Sequence, residues 1–119
     1  WPLMGNTYFP DDNKFLNLFN ISVFNDASLV QFIHRNLAYL IVIFYLLIFM
    51  KIYKNKIKKS FFAINSLGII LLIQIILGIL TLINGVQIVL ASMHQISSIF
   101  LVSASIYFLF VNNDKNLSI

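Results

Sequence analysis

Three apolar runs, each more than twenty residues long, follow one another along the chain: Ser28 to Met50, Phe61 to Ile83, and Gln87 to Val111. At 1.5 Å of rise per residue, roughly 23 residues cover the ~30 Å of a bilayer's hydrocarbon core. The pattern therefore predicts an all-α integral membrane protein with three transmembrane helices. Asn25 or Asp26 stands where the first helix needs an N-cap. In the second run, Gln74, Gly78, Thr81 and Gly85 recur at helical spacing, giving one small or polar face on which a neighbouring helix can pack closely. Asn84-Gly85 is a turn signal, so the second and third helices should form a tight hairpin.

Ahead of the first run, residues 1–27 mix Pro2, Gly5, Pro10, the Asp11-Asp12 pair and several asparagines with aromatics. This suits a structured loop on the membrane surface. Trp1, Tyr8, Phe9, Phe15 and Phe19 can sit at headgroup level, or pack on the helices as an ordinary hydrophobic loop. The division expected is an outer loop over 1–27, periplasmic or in the intermembrane space, and a helical domain over 28–119.

Charge fixes an orientation for these elements. Lys51, Lys54, Lys56, Lys58 and Lys59 crowd the connection between the first two spans, and the positive-inside rule places that connection in the cytoplasm or its equivalent. The N-terminal loop and the Asn84-Gly85 turn are then outside, and Lys115 inside. The net charge of +4 is thus a topology signal, and nucleic acid is not an expected partner.

Composition narrows the chemistry further. The chain is 60% hydrophobic and 10% charged, against roughly 45–50% and 25% in soluble domains, so 119 residues leave no separate soluble domain beside three spans. Cysteine and glutamate are absent, and the four acidic residues, Asp11, Asp12, Asp26 and Asp114, all lie outside the apolar runs. Disulfides, thiolate sites and a membrane-embedded carboxylate pair are excluded. The chain opens at Trp1 with no basic stretch ahead of a short apolar run; it reads as a fragment and not as a signal peptide.

The two histidines, His34 and His94, each lie inside a span, where ionisable groups are functional candidates. Counted from the outer helix ends, both are about 10 to 15 Å deep. Two imidazoles at one level on separate helices can hold a single metal between them, the arrangement that bis-histidine heme ligation requires. The alternative is a hydrogen-bonded structural pair. Ala91, Ser97, Ser98 and Ser105 near His94, and Ala38 after His34, keep side-chain bulk low beside both. Arg35 can reach up to an anionic group, a heme propionate or a lipid phosphate. Gln95 can bond a propionate or a backbone carbonyl.

Several blocks together resemble the C-terminal half of heme A synthase in its alphaproteobacterial and mitochondrial form. They are Trp1-Pro2-Leu3-Met4, Asn17-Leu18-Phe19, the stretch Val30 to Tyr39 around His34-Arg35, Leu77-Gly78-Ile79-Leu80-Thr81-Leu82, and Leu90-Ala91-Ser92-Met93-His94-Gln95. Gln87 stands where many members have proline, and Ile96-Ser97-Ser98 replaces a smaller Ala/Gly-rich stretch. The resemblance implies an eight-span protein made of two four-helix halves, with the present spans as the sixth to eighth and the fifth missing. It implies that His34 and His94 are axial ligands to the iron of a b-type heme cofactor. The reaction implied for the whole protein is oxidation of the heme O methyl group to the formyl group of heme A, for cytochrome oxidase assembly. The substrate site belongs to the absent N-terminal half, so no catalytic residue is expected here and the fragment alone should be inactive.

Implied partners are the lipid bilayer, the missing N-terminal half, the farnesyltransferase that makes heme O, and a second copy of the chain. The implied location is the bacterial inner membrane, or the mitochondrial one in a eukaryote. Two competing readings are a non-enzymatic bis-histidine membrane cytochrome b or heme-bearing anchor subunit, and a structural helical module of a transporter.

Overall fold

The computed structural model describes residues 3, 4 and 6–113. Expectations for Trp1, Pro2, Gly5, Asp114 and Lys115 lie outside the described residues. Among the described residues there is no strand, only an isolated bridge between Met4 and Thr7. Two short 3-10 turns, Phe15–Phe19 and Ile21–Asn25, precede three helices: α1 (Ala27–Lys54), α2 (Phe61–Ile83) and α3 (Ile88–Asn113). All three are long and apolar enough to cross a membrane. The molecule is an all-helical, multi-pass membrane protein. It divides into two compact units, Trp1–Phe44 and Tyr45–Ile119.

In the first unit the loop is tied down by its carboxylates. Asp11 accepts from the Asn6 backbone at 2.8 Å and the Thr7 hydroxyl at 2.7 Å. Of the two residues expected to cap α1, Asp26 takes the role. Its Oδ1 accepts from the backbone N–H of Ser28 and Leu29 at 3.0 and 3.1 Å, satisfying donors that a helix start leaves open. The Ser28 hydroxyl lies 2.7 Å from Asp26 and 3.0 Å from Asp12, while Asn13 donates to Asp26 at 3.0 Å. The Ser28 hydroxyl, followed by the Leu29 N–H, lowers the Asp26 pKa from 3.8 to about 2.

A depressed carboxylate pKa stabilises the fold only while the group is ionised. This contribution is complete above about pH 4 and is lost as pH falls through about 2. Amide hydrogen exchange at Ser28 and Leu29 should accordingly stay slow from pH 7 to 4 and speed up, relative to the intrinsic rate, below pH 3. Exchange in Asp26→Asn should show no such acid step.

The second unit holds the end of α1 against α2, and α2 against α3. Tyr45, Phe49 and Tyr53 form a ladder along α1, continued by Phe61 at the start of α2, whose ring stacks on Tyr53 at 4.5 Å and 7°. The Tyr45 hydroxyl donates to the Ile64 carbonyl at 3.3 Å over Gly68, whose missing side chain leaves space for the phenol. At the same end Ser60 donates to Asn112 at 2.8 Å. Ala63, Ile64, Leu71, Thr81 and Val111 are buried, but most other apolar side chains of the helices are exposed. In lipid that exposure carries no hydrophobic penalty.

Both helix ends at the connections are closed by Schellman turns. At the end of α1, the Ile57 N–H bonds the Ile52 carbonyl and the Lys56 N–H that of Tyr53, with Lys56 at φ 52°. At the end of α2, Val86 N–H bonds Thr81 and Gly85 N–H bonds Leu82, with Gly85 at φ 65°. The lysine connection is therefore less of a loop than expected: Lys51 and Lys54 complete α1, and Lys58 and Lys59 form a 3-10 turn, Lys58–Ser60.

After Gly85, Val86 also has positive φ, at 59°, which a β-branched residue tolerates poorly. Its side chain is 61% exposed, so little packing holds it there. Replacing it with asparagine, which accepts that conformation, should stabilise the chain by about 1 kcal/mol, read as a higher unfolding midpoint in detergent.

Candidate functional site

His34 and Arg35 are neighbours in the first unit and meet different surroundings. Tyr8 and Phe9 of the loop pack edge-on against Phe32 at 5.6 and 5.1 Å, and the Tyr8 hydroxyl donates to Asn36 at 2.9 Å. Arg35 comes up on that same face and is 5% exposed, its guanidinium carbon 5.7 Å from the centre of the Tyr8 ring. A cation over an aromatic face is attracted by the ring quadrupole. The loop thus covers the arginine, and Tyr8 and Phe9 behave as packing residues. Phe15 and Phe19 stay 63% and 80% exposed. His34 is exposed on the opposite side of α1. Helical spacing puts it on one stripe with Ala38 and Tyr45.

His94 belongs to the second unit and is half-buried against α2. Its ring lies over Gly78; a Cβ built there would be 3.1 Å from Cε1 and 3.5 Å from Nδ1. Gln74, one turn earlier on α2, brings its amide nitrogen to 3.4 Å from His94 Nε2. The Gln74 carbonyl oxygen accepts from the Ser97 hydroxyl, one turn after the histidine. The small, polar face read from Gln74 and Gly78 therefore has a specific occupant, the His94 imidazole. Gln95 is exposed, and Ser98 donates to the Gln95 carbonyl at 2.6 Å.

Gln74 and Ser97 are the residues of this cluster whose contact with the histidine the sequence did not single out. A signal for it existed: Gly78 is seven residues before Gly85 and His94 nine after, so a tight hairpin sets them at one level.

Among the described residues no three His, Cys, Asp or Glu side chains gather to hold a metal ion. A metal held here must bring most of its own ligands, as the iron of a porphyrin does. The His94 imidazole, seated over Gly78 on α2, has the chemistry to supply one ligand to such a group.

Residues 1–106 match the cytochrome oxidase assembly protein family (COX15-CtaA). The chain is 40% identical over 116 residues to the heme A synthase of Pelagibacter ubique, covering 98% of this chain and 33% of that protein. It is 37% identical to the heme A synthase of Wolbachia pipientis (92% of this chain, 29% of that protein) and 35% identical to that of Flavobacterium johnsoniae (90% and 32%). It thus spans about a third of the length of these relatives. No solved structure matches it. With a family match over nearly the whole chain and relatives of one kind along the same stretch, the chain belongs to the cytochrome oxidase assembly protein family.

Proposed function

We propose that the chain is the C-terminal, cofactor-binding portion of a heme A synthase, an oxidoreductase that converts the heme O methyl group to the formyl group of heme A. The observation that carries this reading is the placement of His34 and His94. Both fall inside the family-matched stretch, each on its own membrane helix. As neutral imidazoles they would be the axial ligands of a b-type heme. A heme held by two imidazoles would supply one-electron transfer. Arg35 would balance a propionate from beneath Tyr8, and Gln95 would bond the other. The glycine at position 78 gives the His94 ring its clearance. Substrate chemistry would lie in the remaining part of the protein, its first partner, leaving this portion inactive alone. The farnesyltransferase that makes heme O and a second copy of the chain are further candidates.

The proposed setting is the bacterial inner membrane, with the N-terminal loop and the Asn84-Gly85 turn outside and the lysine connection inside. The chain has no cysteine, so single cysteines report topology directly. Asn84→Cys should react with an impermeant maleimide added to intact cells, and Lys58→Cys only after permeabilisation.

The deciding experiment is a reduced-minus-oxidised absorption spectrum of the chain purified from heme-replete membranes. A low-spin b-type signal is expected. A folded, helical chain without one, both alone and joined to the rest of a full-length relative, would remove the reading.

A further inference from the structure

His94 already has a ligand-like contact at the nitrogen an iron would use. The ring's Cε1 edge rests over Gly78, and Nε2 lies 3.4 Å from the amide nitrogen of Gln74. That amide is itself held: its oxygen accepts from the Ser97 hydroxyl, which leaves its N–H₂ to face the ring. An amide nitrogen only donates, so in this contact Nε2 takes the acceptor role. At 3.4 Å the contact is at the long end of hydrogen bonding and is readily exchanged.

We infer that Gln74 is a positioning residue that occupies His94 Nε2 in the heme-free chain and must give it up when His94 ligates iron. This rests on the proposed ligand role of His94. The device solves a problem peculiar to the membrane, where a polar nitrogen left without a partner is costly. Gln74 gives Nε2 a partner during folding and aims it until a stronger ligand arrives. The released amide keeps Ser97 as a partner. Gln74 therefore opposes heme binding modestly while protecting the site that receives it.

The test uses the full chain in detergent micelles, with Gln74→Leu, Ser97→Ala and His94→Ala beside wild type, and hemin as the probe. Two readouts are taken: the imidazole ¹⁵N shifts of His94 without heme, and hemin titration followed at the Soret band. Removing one neutral hydrogen bond should shift the His94 Nε2 resonance in Gln74→Leu and tighten hemin binding about 2- to 10-fold. Ser97→Ala, which only loosens the amide, should change both in the same direction and by less. Unchanged resonances, or hemin bound equally or more weakly by Gln74→Leu, overturn the exchange. Retention of the wild-type spectrum by His94→Ala removes the ligand reading and the exchange with it. If His94→Ala loses the spectrum and Gln74→Leu alters neither readout, the exchange alone has failed. Leucine replaces an amide inside a membrane helix, so helicity by circular dichroism is expected to be unchanged.

Discussion

His94→Gly is expected to abolish the low-spin heme spectrum, and imidazole added at millimolar concentration to restore much of it. On the proposed reading the lost side chain would be a ligand whose place a small molecule can take, because the ring lies over Gly78 on α2 and is held by contacts at its edge. His34→Gly should lose the signal equally, since on the proposed reading both imidazoles would hold the iron. A merely structural histidine would behave differently: its removal would lower stability and leave residual absorption unchanged in shape, and imidazole would do nothing. A normal spectrum in either glycine variant would exclude that residue as an axial ligand.

Gly78→Val should have the next largest effect. The first added carbon would stand 3.1 Å from His94 Cε1, so even alanine must displace the ring by a few tenths of an ångström. Valine adds two methyl groups in the same narrow gap between α2 and α3. Overpacking of this kind costs about 1–3 kcal/mol, and the displaced ring points its nitrogen away from where it was aimed. Hemin affinity should fall roughly 5- to 150-fold if that cost is expressed in binding. Gly68→Ala is the matched control. It crowds the Tyr45 hydroxyl and its bond to Ile64, so it should lower the unfolding midpoint with the heme spectrum unchanged. If both glycine substitutions lower stability alike and neither touches hemin binding, Gly78 is an ordinary packing position.

The spans were legible because lipid demands long apolar runs, and α2 occupies the expected Phe61–Ile83. Helix ends were less so. The apolar run suggests a stop at Met50, yet α1 continues to Lys54, since lysine stems lie along apolar surface while their ammonium groups reach water. Its end is set by backbone geometry at Lys56, which no composition rule marks. Likewise α3 starts at Ile88 and runs to Asn113, because asparagine side chains can bond back to the preceding turn, as Asn112 does to the Phe108 carbonyl. Asp26 was readable as a cap, being the short acidic residue ahead of the first run.

At the site, the histidines stood out because ionisable residues are scarce in membranes. Gln74 did not, since a lone amide on a small-residue face looks like packing until the opposite helix is in register. Burial of Arg35 under Tyr8 was equally hidden, for it depends on how a loop of nearly thirty residues folds back.

The turn that closes α2 has a consequence for how the protein is made. Because Val86 and Gly85 return their N–H groups to Thr81 and Leu82, two donors at the crest are satisfied within the hairpin, which needs few residues outside its two helices. Such a hairpin can enter the lipid phase as one object, carrying Gln74 and Ser97 beside His94 from the start.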